Sequence, residues 1–245
     1  MISDTALFLD FDGVICDSFI ECFSSSWYAY YILYLKSSQN SMRIEDKLQF
    51  RKIRPMVRNS EDNVVIQYII RSKAAVAEQK DFDQICGTLG TETLTDFRNC
   101  FYEARDFFLA DYRNFWLNLN VIFPPLLGPL RKIAENPGVY VLSTKKPSFI
   151  DEIVKYNFVE WPFERILEAR GRSKEDIIND VIDSAGYSKA VFIDDQIDHL
   201  RFRKESRISC YLAEWGYVSE EGLKDFSVPH MSLKEAAAFL MNWSA

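Results

Sequence analysis

Three short apolar runs that finish in polar or acidic residues constrain this chain more than any other feature. They are TALFLD (Thr5–Asp10), VYVL (Val139–Leu142) leading into STKK, and AVFI (Ala190–Ile193) leading into DDQID. Each is as short as a strand and too continuously apolar to face water on one side, so each reads as a strand covered on both faces. Helical patterns separate them, over Leu126–Glu135, Pro147–Tyr156 and Ser173–Ser184, the last with Ser173 as its N-cap. Asn136-Pro137-Gly138 marks a turn before the second run. Arg165–Leu167 and Ile208–Leu212 read as further strands, and Leu233–Asn242 as a closing helix. Strands alternating with helices predict an α/β fold built on a parallel sheet with right-handed crossovers.

One long stretch breaks that alternation directly after the first strand. A long helix rich in aromatic residues is expected from Cys16 to about Leu35, and the pattern stays helical from Arg43 to about Asn120. Breaks are expected at Pro55, around Gly87–Gly90 and at Pro124–Pro125. The predicted organisation is one α/β domain made of residues 1–17 and 121–245, interrupted by an all-helical domain of residues 18–120. The aromatic stripe Trp27–Tyr34 is expected in the core of the helical domain, and Arg51, Lys52, Arg54 and Arg58 on a solvated face. The 245 residues suit one core plus a smaller insertion, and 19 Phe, 12 Tyr and 5 Trp supply ample material to pack both.

Composition removes several classes of function. The net charge is −7 with no long basic run, which argues against binding nucleic acid. Cys16, Cys22, Cys86, Cys100 and Cys210 are scattered, and His199 and His230 are the only histidines, so a Cys/His zinc site is not expected. His199 reads as an ordinary helix residue. The cysteine usage suits a reducing, cytoplasmic setting. No signal-peptide pattern opens the sequence. The most apolar window, Trp27–Leu35, is roughly half of the ~20 residues a membrane span needs, so no membrane segment is expected.

In open parallel sheets, ligands bind beyond the carboxyl ends of the strands. The three polar strand ends should therefore meet at one site. Asp10 and Asp12 lie two residues apart and project to the same side of an extended chain, and Gly13 lets the backbone turn close to a ligand. Asp194 and Asp195 bring two more carboxylates. Such a cluster calls for a hard cation with oxygen ligands, and Mg²⁺ is the natural candidate. An anionic substrate would need Ser143 or Thr144, with one lysine among Lys145, Lys146 and Lys174. A metal, an attacking carboxylate and fixed donors together make the logic of phosphoryl transfer.

The segment LFLDFDGVICDS resembles the first motif of the haloacid dehalogenase (HAD) superfamily, an apolar strand followed by DxDG(V/T). Ser143 at the second strand, Lys174 in GRSKEDIIND and the acidic pair in VFIDDQID follow in the family's order. The resemblance covers about residues 5–17 and 125–215; the helical block resembles the family's cap in location and type. It implies a Rossmann-like parallel sheet with an inserted all-helical cap after the first strand. It further implies a phosphatase acting on a small phosphorylated metabolite, or else a phosphomutase, phosphotransferase or catalytically silent binder. In that scheme Asp10 forms an aspartyl-phosphate and Asp12 serves as acid and base. Gly13, Ser143, Thr144 and Lys174 contact phosphate, and Asp10, Asp12, Asp194 and Asp195 hold Mg²⁺. The motif IDDQID leaves open which of Asp194, Asp195 and Asp198 is the main ligand. The motif STKKP leaves open Ser143 against Thr144, and Lys145 against Lys174.

Overall fold

A computed structural model describes residues 4–37, 41–202, 206–225 and 227–243. The chain divides into two compact units, one of Met1–Asp17 with Val121–Ala245, the other of Ser18–Asn120.

The first unit is built on a six-stranded sheet. Its strands are β1 (Thr5–Leu9), β4 (Val139–Ser143), β5 (Ile166–Glu168), β6 (Lys189–Asp194), β7 (Ile208–Ala213) and β8 (His230–Met231). They lie in the order β5-β4-β1-β6-β7-β8, and every pairing is parallel. The parallel α/β sheet expected from the alternation is therefore present. β1 is central, with Leu9 beside both Val141 and Ile193, so the tips of β1, β4 and β6 lie side by side. β1 and its neighbours need near-continuous apolar runs because both faces are buried, as successive residues Ala6, Leu7, Phe8 and Leu9 are. Ala6, Phe8, Leu142, Phe192 and Leu212 pack with Ile178 and Ile182 from helix α8 (Lys174–Ala185) in one buried cluster.

The sequence set most helix limits correctly. Helix α7 spans Pro147–Tyr156 and buries Phe149, Ile150, Ile153 and Val154 along one face. Ser173 caps α8 by accepting from the Asp176 N–H, and Gly186 closes it in the left-handed conformation. Helix α10 (Leu233–Asn242) opens on a reciprocal Ser232–Glu235 capping box. The edge strand β8 lacks a readable apolar run because only two residues pair.

A second, antiparallel ribbon joins β2 (Cys16–Asp17) to β3 (Val121–Ile122), where the chain leaves and re-enters the sheet unit. Cys16 and Asp17 are thus strand rather than the start of the expected long helix. Pairing with residues more than a hundred positions away overrides their local pattern.

The helical unit comprises α1 (Phe19–Trp27), α2 (Ile44–Ile53), α3 (Asp62–Ser72), α4 (Gln79–Asp111) and α5 (Arg113–Asn118). After α1 the chain widens into π-helical turns over Tyr28–Tyr34, where the aromatic stripe buries Ala29, Tyr30 and Tyr31. The helical pattern expected from Arg43 onward is interrupted after Ser72. Lys73 turns left-handed (φ 56°), and Glu78 and Asp81 form a capping box that starts α4 afresh. The expected break near Gly87–Gly90 narrows to a kink at Gly90 (φ 76°).

The solvated face expected of the basic residues forms in part, with Arg51 and Lys52 exposed. Arg54 is buried, Arg51 lies over the Phe19 ring at 4.1 Å, and Arg58 donates to Pro55 O and to Gln79 Oε1. A further ion pair ties this unit together: Arg105 donates from Nε and Nη2 to the two oxygens of Glu21, each at 2.8 Å. Ser25 Oγ and Trp116 Nε1 complete the Glu21 carboxylate at 2.8 and 3.3 Å. No helix among the described residues is long and apolar enough to cross a membrane.

Candidate active site

The site begins where β1 ends. The Asp10 N–H donates to Ile193 O at 2.9 Å, which fixes the backbone of Asp10 against β6. A tight turn follows, in which Phe11 O accepts from the N–H groups of both Ile15 and Cys16 and Gly13 N–H donates to Cys16 O. Gly13 has φ +88°, and a Cβ there would lie 2.0 Å from Asp195 Oδ2. Only glycine allows both that backbone and that approach.

Oxygen atoms of Asp10, Asp194 and Asp195, all buried, lie within 4.8 Å of one another. Lys174, at the start of α8, sends its ammonium group between two of them, at 2.7 Å from Asp10 Oδ1 and 2.6 Å from Asp194 Oδ2. Lys145 lies elsewhere, its buried Nζ 2.8 Å from Asp12 Oδ1. The two lysines therefore do not compete for one place. Ser143 is buried at the tip of β4, its Oγ accepting from the Lys145 N–H at 3.3 Å, while Thr144 is half-buried. Lys146 Nζ lies 6.0 Å from the Phe149 ring centroid. Asp198 is exposed and pairs with Arg201.

Burial sets the electrostatics. Desolvation, then the neighbouring Asp194 and Asp12 carboxylates, push Asp10 up to about 6 against the pull of Lys174. Asp194 is equally desolvated, yet Lys174 and His199 hold it well below the usual carboxylate range. Burial disfavours the Lys174 ammonium, but Asp10 and Asp194 outweigh that and drive its pKa upward. With the carboxylates and lysines ionised and His199 neutral, four carboxylates (Asp10, Asp12, Asp194, Asp195) face two ammonium groups (Lys145, Lys174), an excess of two negative charges. A hard divalent cation among the three clustered carboxylates neutralises that excess, so the donor set fits such an ion.

Three contacts escaped the sequence reading. His199 Nδ1 lies 3.2 Å from Asp194 Oδ2, so it is no ordinary helix residue. The loop after β7 closes over Asp195: the Tyr217 N–H donates to Asp195 Oδ2 at 2.6 Å, and the Tyr217 hydroxyl donates to Asp17 at 2.9 Å. A Cβ on Gly216 would lie 2.3 Å from the Asp195 Cβ and 2.7 Å from Gly13 O. The rule that strand tips carry the site could have found this loop, since Glu214–Tyr217 directly follows a strand.

No family model matches the sequence, and no curated protein matches it. Solved structures do. A predicted phosphatase from Clostridium acetobutylicum superposes with a TM-score of 0.62 at 16% identity, covering 99% of this chain and 100% of that one. A predicted phosphoglycolate phosphatase from Haemophilus somnus 129pt gives 0.62 at 12% identity, covering 98% and 99%. A HAD-superfamily hydrolase of subfamily IA, variant 1, from Geobacter sulfurreducens gives 0.57 at 14% identity, covering 97% and 96%. With near-complete coverage on both sides, this chain has the fold of the haloacid dehalogenase-like hydrolases, a parallel α/β sheet interrupted by an inserted helical unit.

Proposed function

We propose that this chain is a Mg²⁺-dependent phosphohydrolase for a small phosphate monoester, working through an aspartyl-phosphate on Asp10. The observation that carries this reading is the Asp10–Asp194–Asp195 cluster, bridged by Lys174 at the strand tips of a HAD-like fold. Mg²⁺, held by these three carboxylates, would offset charge on the transferring phosphoryl group.

The chain's own residues do the rest. An Asp10 carboxylate oxygen attacks phosphorus in line and the ester P–O bond breaks. Asp12 gives its proton to the departing oxygen, then removes one from the water that attacks the aspartyl-phosphate, so both Asp10 and Asp12 are regenerated. Lys145, on Asp12 Oδ1, orients that carboxylate. Lys174 and the Ser143 hydroxyl hold phosphoryl oxygens, with Thr144 and the Gly13 backbone beside them. The helical unit is inserted where the family carries its cap. The five cysteines form no disulfide, and we assign the chain to a reducing, cytoplasmic compartment.

Release of p-nitrophenol from p-nitrophenyl phosphate tests the proposal. Activity is expected with Mg²⁺ and is expected to vanish with EDTA. Equal rates with and without the chelator would overturn the metal requirement. Transfer of phosphate to an alcohol acceptor without any to water would make the chain a phosphotransferase instead.

Gly216→Ala probes the loop over Asp195. The added methyl group must displace the Asp195 side chain, so half-saturation by Mg²⁺ should need roughly tenfold or more metal. An unchanged Mg²⁺ dependence would remove Asp195 from the ligand set.

A further inference from the structure

The helical unit contains a cavity of about 400 Å³ that the proposed phosphoryl chemistry does not use. Its volume lies within the range of small-molecule sites. Tyr30 and Phe97 form its buried floor, Tyr68 and Thr93 are half-buried in its wall, and Tyr34 and Arg71 stand exposed at its rim. The rings are ordered: Tyr30 and Tyr34 are within 13° of parallel, and Phe97 stands edge-on to both at 89° and 85°.

Tyr30 and Tyr34 both belong to the π-helical segment. The Leu35 N–H donates to Tyr30 O, five residues back, at 2.9 Å. Such wide turns are rare and concentrate at functional sites. The charge at the rim is equally specific. No described carboxylate forms an ion pair with Arg71, which lines the same cavity as the Tyr30 phenol. Burial pushes that phenol up to about 12, so it stays a neutral donor at physiological pH.

We propose that this cavity binds a flat aromatic carboxylate. The ring floor accepts a planar apolar body by stacking and edge contacts. One guanidinium balances one negative charge, and its planar fork matches a carboxylate. The Tyr30 and Thr93 hydroxyls add neutral hydrogen bonds. A dianion would leave one charge unmatched, and a neutral aromatic would leave Arg71 unused.

Calorimetric titration of the full chain with 2-naphthoate tests this, with inorganic phosphate present to occupy the carboxylate site. Saturable binding at one site per chain is expected. Arg71→Met, a change at an exposed position, should weaken it roughly tenfold or more while leaving the melting temperature unchanged. Arg71→Lys should retain part of the affinity, and neutral 2-naphthamide should bind as weakly to the native chain as naphthoate does to Arg71→Met. Lys174→Met, once shown to melt cooperatively, should leave naphthoate binding intact, which separates this site from the proposed catalytic one. No saturation by about 1 mM would overturn the proposal, as would equal binding to Arg71→Met or loss of binding in a cooperatively folded Lys174→Met.

Discussion

Asp10→Asn should reduce turnover of p-nitrophenyl phosphate by roughly 10⁴-fold or more and leave the fold intact. The amide has almost the volume of the carboxylate, so the packing beside β6 and the backbone bond to Ile193 O survive. It lacks a nucleophilic charge, so no phosphoryl-enzyme forms. Lys174 does not become an orphan, because its 2.6 Å contact to Asp194 remains. The variant should therefore melt cooperatively near the native temperature while being inert. Acid quenching during turnover should trap labelled phosphate on the native chain and none on Asp10→Asn. Activity within tenfold of native would remove Asp10 from the nucleophile role, whatever became of the metal requirement.

Arg105→Ala should destabilise the chain by about 3–5 kcal/mol, a large part of the 5–15 kcal/mol that holds a typical domain folded. Arg105 and Glu21 have side chains 2% and 0% exposed and meet through two parallel hydrogen bonds. Removing the guanidinium leaves the Glu21 carboxylate desolvated, with Ser25 and Trp116 among its remaining donors. The loss also takes away a cation stacked 4.2 Å over the Phe101 ring. Urea unfolding should show a lower midpoint. The double variant Glu21→Met/Arg105→Met should recover much of the loss, because the larger cost is an orphaned charge rather than a missing attraction. A single-variant loss under about 1 kcal/mol would mean that water reaches Glu21.

Both effects depend on residues that differ greatly in how well the sequence announces them. Asp10, Asp194 and Ser143 are readable because each ends an apolar run, and parallel strands bring such ends together. Periodicity and caps are equally local, which is why α7 and α10 emerge with their observed limits. Arg105 and Glu21 lie 84 positions apart, and nothing near either names the other. The same holds for Lys145 with Asp12, 133 positions apart, and for Tyr217 over Asp195. The helix break after Ser72 was hidden for another reason. The following residues, Lys73–Glu78, include strong helix formers, and a left-handed Lys73 with a new capping box overrules that preference.

The short ribbon of Cys16–Asp17 with Val121–Ile122 has a consequence for how such chains diversify. It holds together the two ends of everything from Ser18 to Asn120, so the sheet unit experiences that whole segment as a closed hairpin loop. Loop-closure entropy grows only logarithmically, by about 0.6 kcal/mol for each doubling of length. Selection can therefore lengthen, shorten or exchange the insert at little cost to the machinery at the strand tips. The ribbon acts as a socket, and the gene can change what is plugged into it without rewriting the sheet.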